Sequence, residues 1–167
     1  MHENVPTTSP LPRIPEELLA SPVFLLKRLG FLAKASSAEA YEKTGLNPYH
    51  YAVLALLDEG MPGTQGAIAD ALDYDRGQLV GLLDDLEGDG LVRRRRDPAD
   101  RRRHIVEPTP AGRKALTKLR ALSARLEDEF LAGLDEEQRA QLHELLLEVA
   151  RHHLPGTARP AAADARA

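Results

Sequence analysis

Apolar residues fall into six blocks separated by Gly, Pro, Asn and Asp, and the spacing within each block is helical. Ser21 followed by Pro22 reads as an N-cap and first helical residue. It opens a helix with Phe24, Leu25, Leu29, Leu32 and Tyr41 among its apolar positions and an end near Gly45. Asn47-Pro48 repeats the start signal, and Val53, Leu54, Leu56 and Leu57 follow before Gly60 stops a second helix. Thr64 caps a brief helix over Gln65 to Leu72, with Ile68 and Leu72 four apart on its buried face. After Asp73-Tyr74, Asp75 caps the next helix, where Leu79, Leu82, Leu83 and Leu86 keep the i, i+3, i+4, i+7 spacing of one apolar stripe.

The period then changes. A helix ending near Gly88 or Gly90 runs into Leu91-Val92, the turn residues Asp97-Pro98-Ala99-Asp100 follow, and Ile105-Val106 returns, which predicts a β-hairpin. Thr109-Pro110 starts a long helix carrying Leu116, Leu119, Leu122, Leu126 and Phe130. Asp135 starts the last one, with Leu142, Leu145, Leu146 and Val149 before Pro155. Pro6, Pro10 and Pro12 favour an extended arm at the start, and the tail after Leu154 has too little apolar bulk to fold. The expected fold is mainly α with a small β-hairpin: a winged helix-turn-helix with long N- and C-terminal dimerisation helices. Its layout is a flexible arm over 1–20, a helical dimerisation region over 21–45 and 109–153, a winged helix-turn-helix over 46–108, and a disordered tail over 154–167.

Composition narrows the chemistry. The 167 residues are 43% hydrophobic but only 4% aromatic with no Trp, so the core must be mostly Leu, Ala and Val. With no Cys, disulfides and thiolate zinc or redox sites are excluded. No run of 18 apolar residues and no basic-then-apolar leader occurs, which places the protein in the cytoplasm with no membrane partner. His143-Glu144 begins a zinc-protease pattern but Leu147 stands where the second His is needed. His152 and His153 read as exposed histidines on a fraying helix end. Neither a Gly-rich phosphate loop nor a Gly-x-Ser-x-Gly elbow is present. The chain therefore reads as no enzyme, with no metal or cofactor.

Charge supplies the positive indication. Residues 93–103 read RRRRDPADRRR, seven Arg against two Asp, a net of +5 in a chain of net charge −4, leaving the other 156 residues at −9. An acidic protein with its positive charge gathered in one place attracts a polyanion there and repels it elsewhere. An Arg run alone is most often a solvated turn, but this one directly follows a helix-turn-helix pattern. The helix from Asp75 turns its leucines inward, so Arg76, Gly77, Gln78, Val80, Gly81 and Asp84 lie on the outer face that a recognition helix presents to a major groove. Arg76 can pair with guanine or hold phosphate, Gln78 can pair with adenine, and Val80 can touch a thymine methyl. Gly77 and Gly81 either let the helix backbone approach the bases or are merely tolerated on a surface. Thr64 and Gln65, at the start of the preceding helix, are placed for the DNA backbone. The segment 123–153 holds Leu126, Phe130, Leu131, Leu134, Leu142, Leu145, Leu146 and Val149, more apolar surface than two helices of a small monomer hide. It also has eight acidic residues against three Arg, which turns it away from DNA.

The run IADALDYDRGQLVGLLDDLEGDGLVRRRRDPADRRRHIVEPTPAGRKAL resembles the MarR (multiple antibiotic resistance regulator) family of transcription factors, most specifically in GLVRRRRDPADRRR followed by TPAGR. The resemblance covers roughly residues 21–153 and implies a homodimer whose terminal helices interlock, each subunit presenting one winged helix-turn-helix to double-stranded DNA. It implies a wing in which Asp100 orients Arg102 into the minor groove, with Arg94, Arg95, Arg96, Arg101 and Arg103 meeting phosphates. His104 stands where the family often has a further Arg, and Gly81 where it often has a larger polar or basic residue. The family also implies a small, often aromatic and anionic, effector between the dimerisation helices and the DNA-binding lobe. Here that location would be lined by Arg28, Phe31, Tyr49, His50 and Tyr51; an aromatic cluster filling the joint is the other reading, and His50 replaces a frequent Gln. The function expected is a repressor binding a pseudo-palindrome with half-sites roughly 10 bp apart. A winged-helix protein-interaction module and an architectural DNA binder are the alternatives.

Overall fold

The structure, a computed structural model, describes residues 13–60, 63–98, 100 and 104–154. The chain divides into two compact units, Met1–Glu39 and Ala40–Ala167. The first holds a single turn of helix, α1 (Glu16–Leu19), and most of α2 (Pro22–Glu42). Ser21 caps α2, its Oγ accepting from the Phe24 N–H at 3.3 Å. The α1 turn lies in the stretch expected as an arm, where two acidic residues in its first turn suit a helix start. The segments expected as an extended arm over 1–12 and as a tail from 155 onward lie outside the described residues.

The second unit contains α3 (Pro48–Asp58), α4 (Gln65–Leu72), α5 (Arg76–Gly88), β1 (Val92–Arg96), β2 (His104–Pro108), α6 (Pro110–Phe130) and α7 (Glu136–His153). The caps fix where these helices begin. Thr64 accepts from the Ala67 N–H at 3.3 Å, Asp75 from Gln78 at 2.9 Å, Thr109 from Gly112 at 3.0 Å and Asp135 from Gln138 at 2.9 Å. Each such cap satisfies an amide that the helix itself leaves open, worth about 1 kcal/mol. Between α4 and α5 the chain turns at Asp73, which adopts a left-handed φ of 47° and ends α4, and the Tyr74 N–H returns to the Ala69 carbonyl at 3.0 Å.

The core is aliphatic, as the composition required. Val53 and Leu54 of α3, Ile68 of α4, Leu79, Leu83 and Leu86 of α5, Val92 and Val106 of the hairpin, and Leu116 and Leu119 of α6 are all fully buried. Each buried leucine contributes on the order of 1.5–3 kcal/mol. Tyr41, in the last turn of α2, joins them. Leu72, expected inside, is only half-buried; Ala69 takes the second buried place on α4 beside Ile68.

β1 and β2 pair antiparallel with Val92 opposite Pro108, Arg93 opposite Glu107, Arg94 opposite Val106, Arg95 opposite Ile105 and Arg96 opposite His104. Two glycines let the hairpin sit against the helices. The Val106 N–H donates to the Gly63 carbonyl at 2.7 Å, and a Cβ on Gly63 would lie 2.1 Å from the Val106 oxygen. At Gly112 in the first turn of α6, a Cβ would lie 2.0 Å from the Leu91 oxygen. Gly112→Ala should therefore destabilise the protein by at least about 2 kcal/mol, because backbone must move to admit it. Gly66→Ala, where nothing stands within 4 Å of the added atom, should leave stability equal or raised by up to about 1 kcal/mol. Urea denaturation of the two variants checks the contrast.

Candidate nucleic-acid interface

The apolar stripe of α5 decides what its other face offers. With Leu79, Leu82, Leu83 and Leu86 buried, Arg76, Gly77, Gln78, Val80, Gly81, Asp84 and Asp85 are exposed on one continuous surface. Arg76 reaches back to Asp70 of α4 at 3.3 Å, an exposed contact of the kind worth little in water and readily exchanged. Gly77 has a local reason: a Cβ there would lie 3.1 Å from the Asp75 oxygen that caps the helix. Nothing stands within 4 Å of the corresponding position on Gly81. Thr64 and Gln65 are half-buried at the start of α4, and the Thr64 hydroxyl is already engaged as the cap.

The wing is joined to this helix pair at its base. Thr64 bridges to Ile105 of β2 beside the Gly63–Val106 bond. Gly90, with φ of 68°, turns the chain from α5 toward β1, and its carbonyl accepts from the Thr109 hydroxyl at 2.7 Å.

Strand alternation sorts the arginines into two sets. Arg94 shares the inward face with Val92 and the buried Val106, and only 19% of its side chain is exposed. Its N–H donates to the Glu87 carboxylate at 3.0 Å, and its Nη1 reaches Glu87 at 2.8 Å and Asp84 at 2.6 Å, both on α5. Arg94 Nε and Nη2 are buried and make no hydrogen bond. Arg93 and Arg95 share the outward face, where both bond Glu107. Their hydrogen bonds, Arg95 first and then Arg93, hold the Glu107 carboxyl below its ordinary range. Arg96, at the distal end of β1, is exposed and has no ion-pair partner among the described residues. Of Arg94, Arg95 and Arg96, expected at phosphates, only Arg96 is without an ion pair among the described residues. Arg94 is turned against α5 and Arg95 against Glu107. Asp100 is half-buried at the wing tip. Arg101, Arg102 and Arg103 lie outside the described residues.

The residues expected near an effector belong to both units. Arg28 and Phe31 are exposed in the first unit, Phe31 at 68%. In the second, Tyr49 packs against Tyr74 of the helix-turn-helix turn with ring centroids 4.6 Å apart and the planes tilted by 41°, and Tyr51 packs half-buried against the core. His50 is buried and is a capping group. Its Nδ1 accepts from the Asn47 N–H at 3.1 Å while Asn47 Oδ1 accepts from Tyr49 and His50 at 2.9 and 3.0 Å. The ring therefore fills the role of the Glu or Gln of an ordinary capping box. Sequence reading missed a cleft of about 880 Å³ lined by Lys43, Lys114 and Lys118, by Asp89, and by apolar residues that include Leu46 and Leu91. Its parts come from three separate stretches of chain, so no local pattern marks it.

Because Nδ1 accepts, the neutral His50 ring carries its proton on Nε2, which makes no hydrogen bond and lies 4.0 Å from Asp85 on α5. Burial pushes the ring's pKa below the ordinary value, against the opposing pull of Asp85 and Asp89. An unfolded chain then takes up the proton first. The contribution of neutral His50 is present above the ordinary histidine value of ~6.5 and is lost as pH falls through the lower folded value. His50→Gln keeps an acceptor for Asn47 without a titrating ring, so the fall in melting temperature between neutral pH and about pH 5 should be smaller than in the wild type. Thermal melts across that window check it.

A recognition helix, its supporting helix and a basic hairpin fixed to both define a winged helix-turn-helix DNA-binding protein. The MarR family model matches residues 44–103. A Thauera aromatica protein assigned to transcriptional regulation of the hcr operon is 31% identical over 147 residues, 87% of this chain and 89% of its own. The Escherichia coli transcriptional regulator HosA is 32% identical over 64% of this chain and 78% of its own. Among solved structures, the transcriptional repressor CouR bound to a 23-mer DNA duplex superposes with a TM-score of 0.74 at 35% identity, covering 81% of this chain and 96% of that one. CouR from Rhodococcus jostii bound to p-coumaroyl-CoA gives 0.67 at 32%, covering 80% and 94%. The chain belongs to the MarR family and is a DNA-binding transcriptional regulator. Among the described residues no helix is long and apolar enough to cross a membrane.

Proposed function

We propose that the protein is a cytoplasmic, homodimeric repressor, without enzymatic activity, that reads a pseudo-palindromic operator and leaves it when a small anionic effector binds. The observation that carries this reading is the exposed face of α5 held beside the wing by bonds at the wing's base. In it, Arg76, Gln78 and Val80 meet base edges, and Gly77 and Gly81 let the helix approach them. Thr64, Gln65, Arg96, Arg101 and Arg103 meet phosphates, and Asp100 orients Arg102 into the minor groove. Arg94 serves as a strut between wing and α5.

Dimerisation belongs to residues 21–45 and 109–153, and DNA binding to 46–108. Exposed apolar side chains support that division: Leu25, Leu29 and Leu32 on α2, and Leu145, Leu146 and Val149 on α7. Such faces are covered in a stable protein. The cleft that gathers three lysines supports an anionic effector, as does the coenzyme A thioester bound by the related CouR.

Selection of bound duplexes from a random pool at two salt concentrations tests the reading. It should return a pseudo-palindrome with half-sites roughly 10 bp apart. Strong, salt-sensitive retention with no consensus would instead mean an architectural binder, and no retention a protein-interaction module. On the recovered operator, Arg102→Ala should lower affinity more than Arg96→Ala in fluorescence anisotropy titrations. Equal losses would reduce the wing to a purely electrostatic contact.

A further inference from the structure

We propose that Glu107 is a specificity-determining residue that withholds Arg93 and Arg95 from the DNA backbone and so limits binding to duplexes without an operator. The inference rests on the DNA-binding activity of the chain but on no particular operator. It starts from the register: Glu107 stands directly opposite Arg93, and Arg95 is its diagonal neighbour on the same outward face of the hairpin. One carboxylate holds both guanidinium groups, and each oxygen has its own partner. Oε2 accepts from Arg93 Nη2 at 3.0 Å and Nε at 3.3 Å, while Oε1 accepts from Arg95 Nε at 2.5 Å. The acid is the anchored member, with 28% of its side chain exposed against 70% for Arg93 and 43% for Arg95.

The consequence for DNA follows from charge. Phosphate contacts carry no sequence information, and each one steepens the fall of affinity with salt by about 0.9 in a double logarithmic plot. The Arg run alone would offer DNA every one of its guanidinium groups. In the folded wing, Arg93 and Arg95 are matched by Glu107, and Arg94 by Glu87 and Asp84, so the base of the wing is close to neutral. Exposed ion pairs are weak, and a phosphate can compete for either arginine. Such an exchange would leave the Glu107 carboxylate unmatched beside a polyanion, and that repulsion opposes backbone contact by the pair. Contacts made by the wing tip and by α5 are untouched. Non-operator binding, which depends on phosphates, is reduced more than operator binding.

The test compares wild type, Glu107→Gln, the Arg93→Gln/Arg95→Gln double variant and the triple variant. Each is titrated into a random-sequence duplex and into the selected operator across a salt series, after thermal melts confirm folding. Retention of the random duplex by the wild type establishes that DNA binding itself is intact. Glu107→Gln should bind the random duplex more tightly, on the order of tenfold at low salt, with a salt slope steeper by about one to two, and should lower the ratio of operator to random affinity. The double variant, which also serves if Glu107→Gln fails to fold, should keep the salt slope of the wild type, because neither arginine holds phosphate there, while the bared Glu107 carboxylate lowers random-duplex affinity modestly. The triple variant, which removes that carboxylate as well, should return affinity and slope to near those of the wild type. An unchanged or weakened random-duplex affinity in Glu107→Gln overturns the proposal. So does a salt slope shallower by about two in the double variant, which would mean that Arg93 and Arg95 already hold phosphate. A triple variant as tight as Glu107→Gln would also overturn it, assigning the gain to loss of a negative charge rather than release of two arginines.

Discussion

Thr109 is the point through which the DNA-binding unit is held together. Its N–H donates to the Leu91 carbonyl at 2.9 Å, its hydroxyl donates to Gly90 at 2.7 Å, and the same oxygen accepts from the Gly112 N–H at 3.0 Å. One residue thereby joins the end of α5, the entry to β1, the exit of β2 and the first turn of α6. The approach is close enough that only glycine fits at 112, where the α6 backbone meets the Leu91 carbonyl. Recognition helix and wing share this junction, so neither can be re-aimed without disturbing the start of the longest helix of the unit. A polar side chain and a missing Cβ thus set the geometry that the leucine core then stabilises.

Around that junction, charge is arranged by strand alternation rather than by abundance. A run of four consecutive arginines looks uniform, yet in the hairpin its members have different environments. Arg94 is drawn inward to two carboxylates of α5, Arg93 and Arg95 share Glu107, and Arg96 stands exposed toward the tip. The carboxylates come from both sides of the hairpin, Asp84 and Glu87 from the helix and Glu107 from the opposing strand. The wing is therefore polarised along its length, near neutral where it joins the body.

Where local chemistry decides, the sequence was a reliable guide. Thr64, Asp75, Thr109 and Asp135 cap the helices they were expected to cap, and the Leu79–Leu86 stripe fixed which face of α5 is exposed. Contacts between distant stretches were not legible. The partner of each arginine depends on the pairing of residue 93 with 107, which no composition reveals. The resemblance places His50 at the effector location; its closure of a capping box on Asn47 is local, three residues apart, but His is not the Glu or Gln by which such a box is recognised. The contact of Tyr49 with Tyr74 and the cleft that gathers three lysines join segments far apart in the chain. α1 went unseen because one turn of helix is too short to show a period.

The placement of the tyrosines has a spectroscopic consequence. The chain has no Trp and only four Tyr, at 41, 49, 51 and 74. Tyr41 is in the core, Tyr51 packs against it, and Tyr49 and Tyr74 form the tilted ring pair between α3 and the turn before the recognition helix. The tyrosine signal of the unlabelled protein thus comes from these four residues alone. Two rings held in contact at a fixed tilt couple in the near-ultraviolet circular dichroism, so that band is a built-in optical gauge of how the turn before the recognition helix sits on α3.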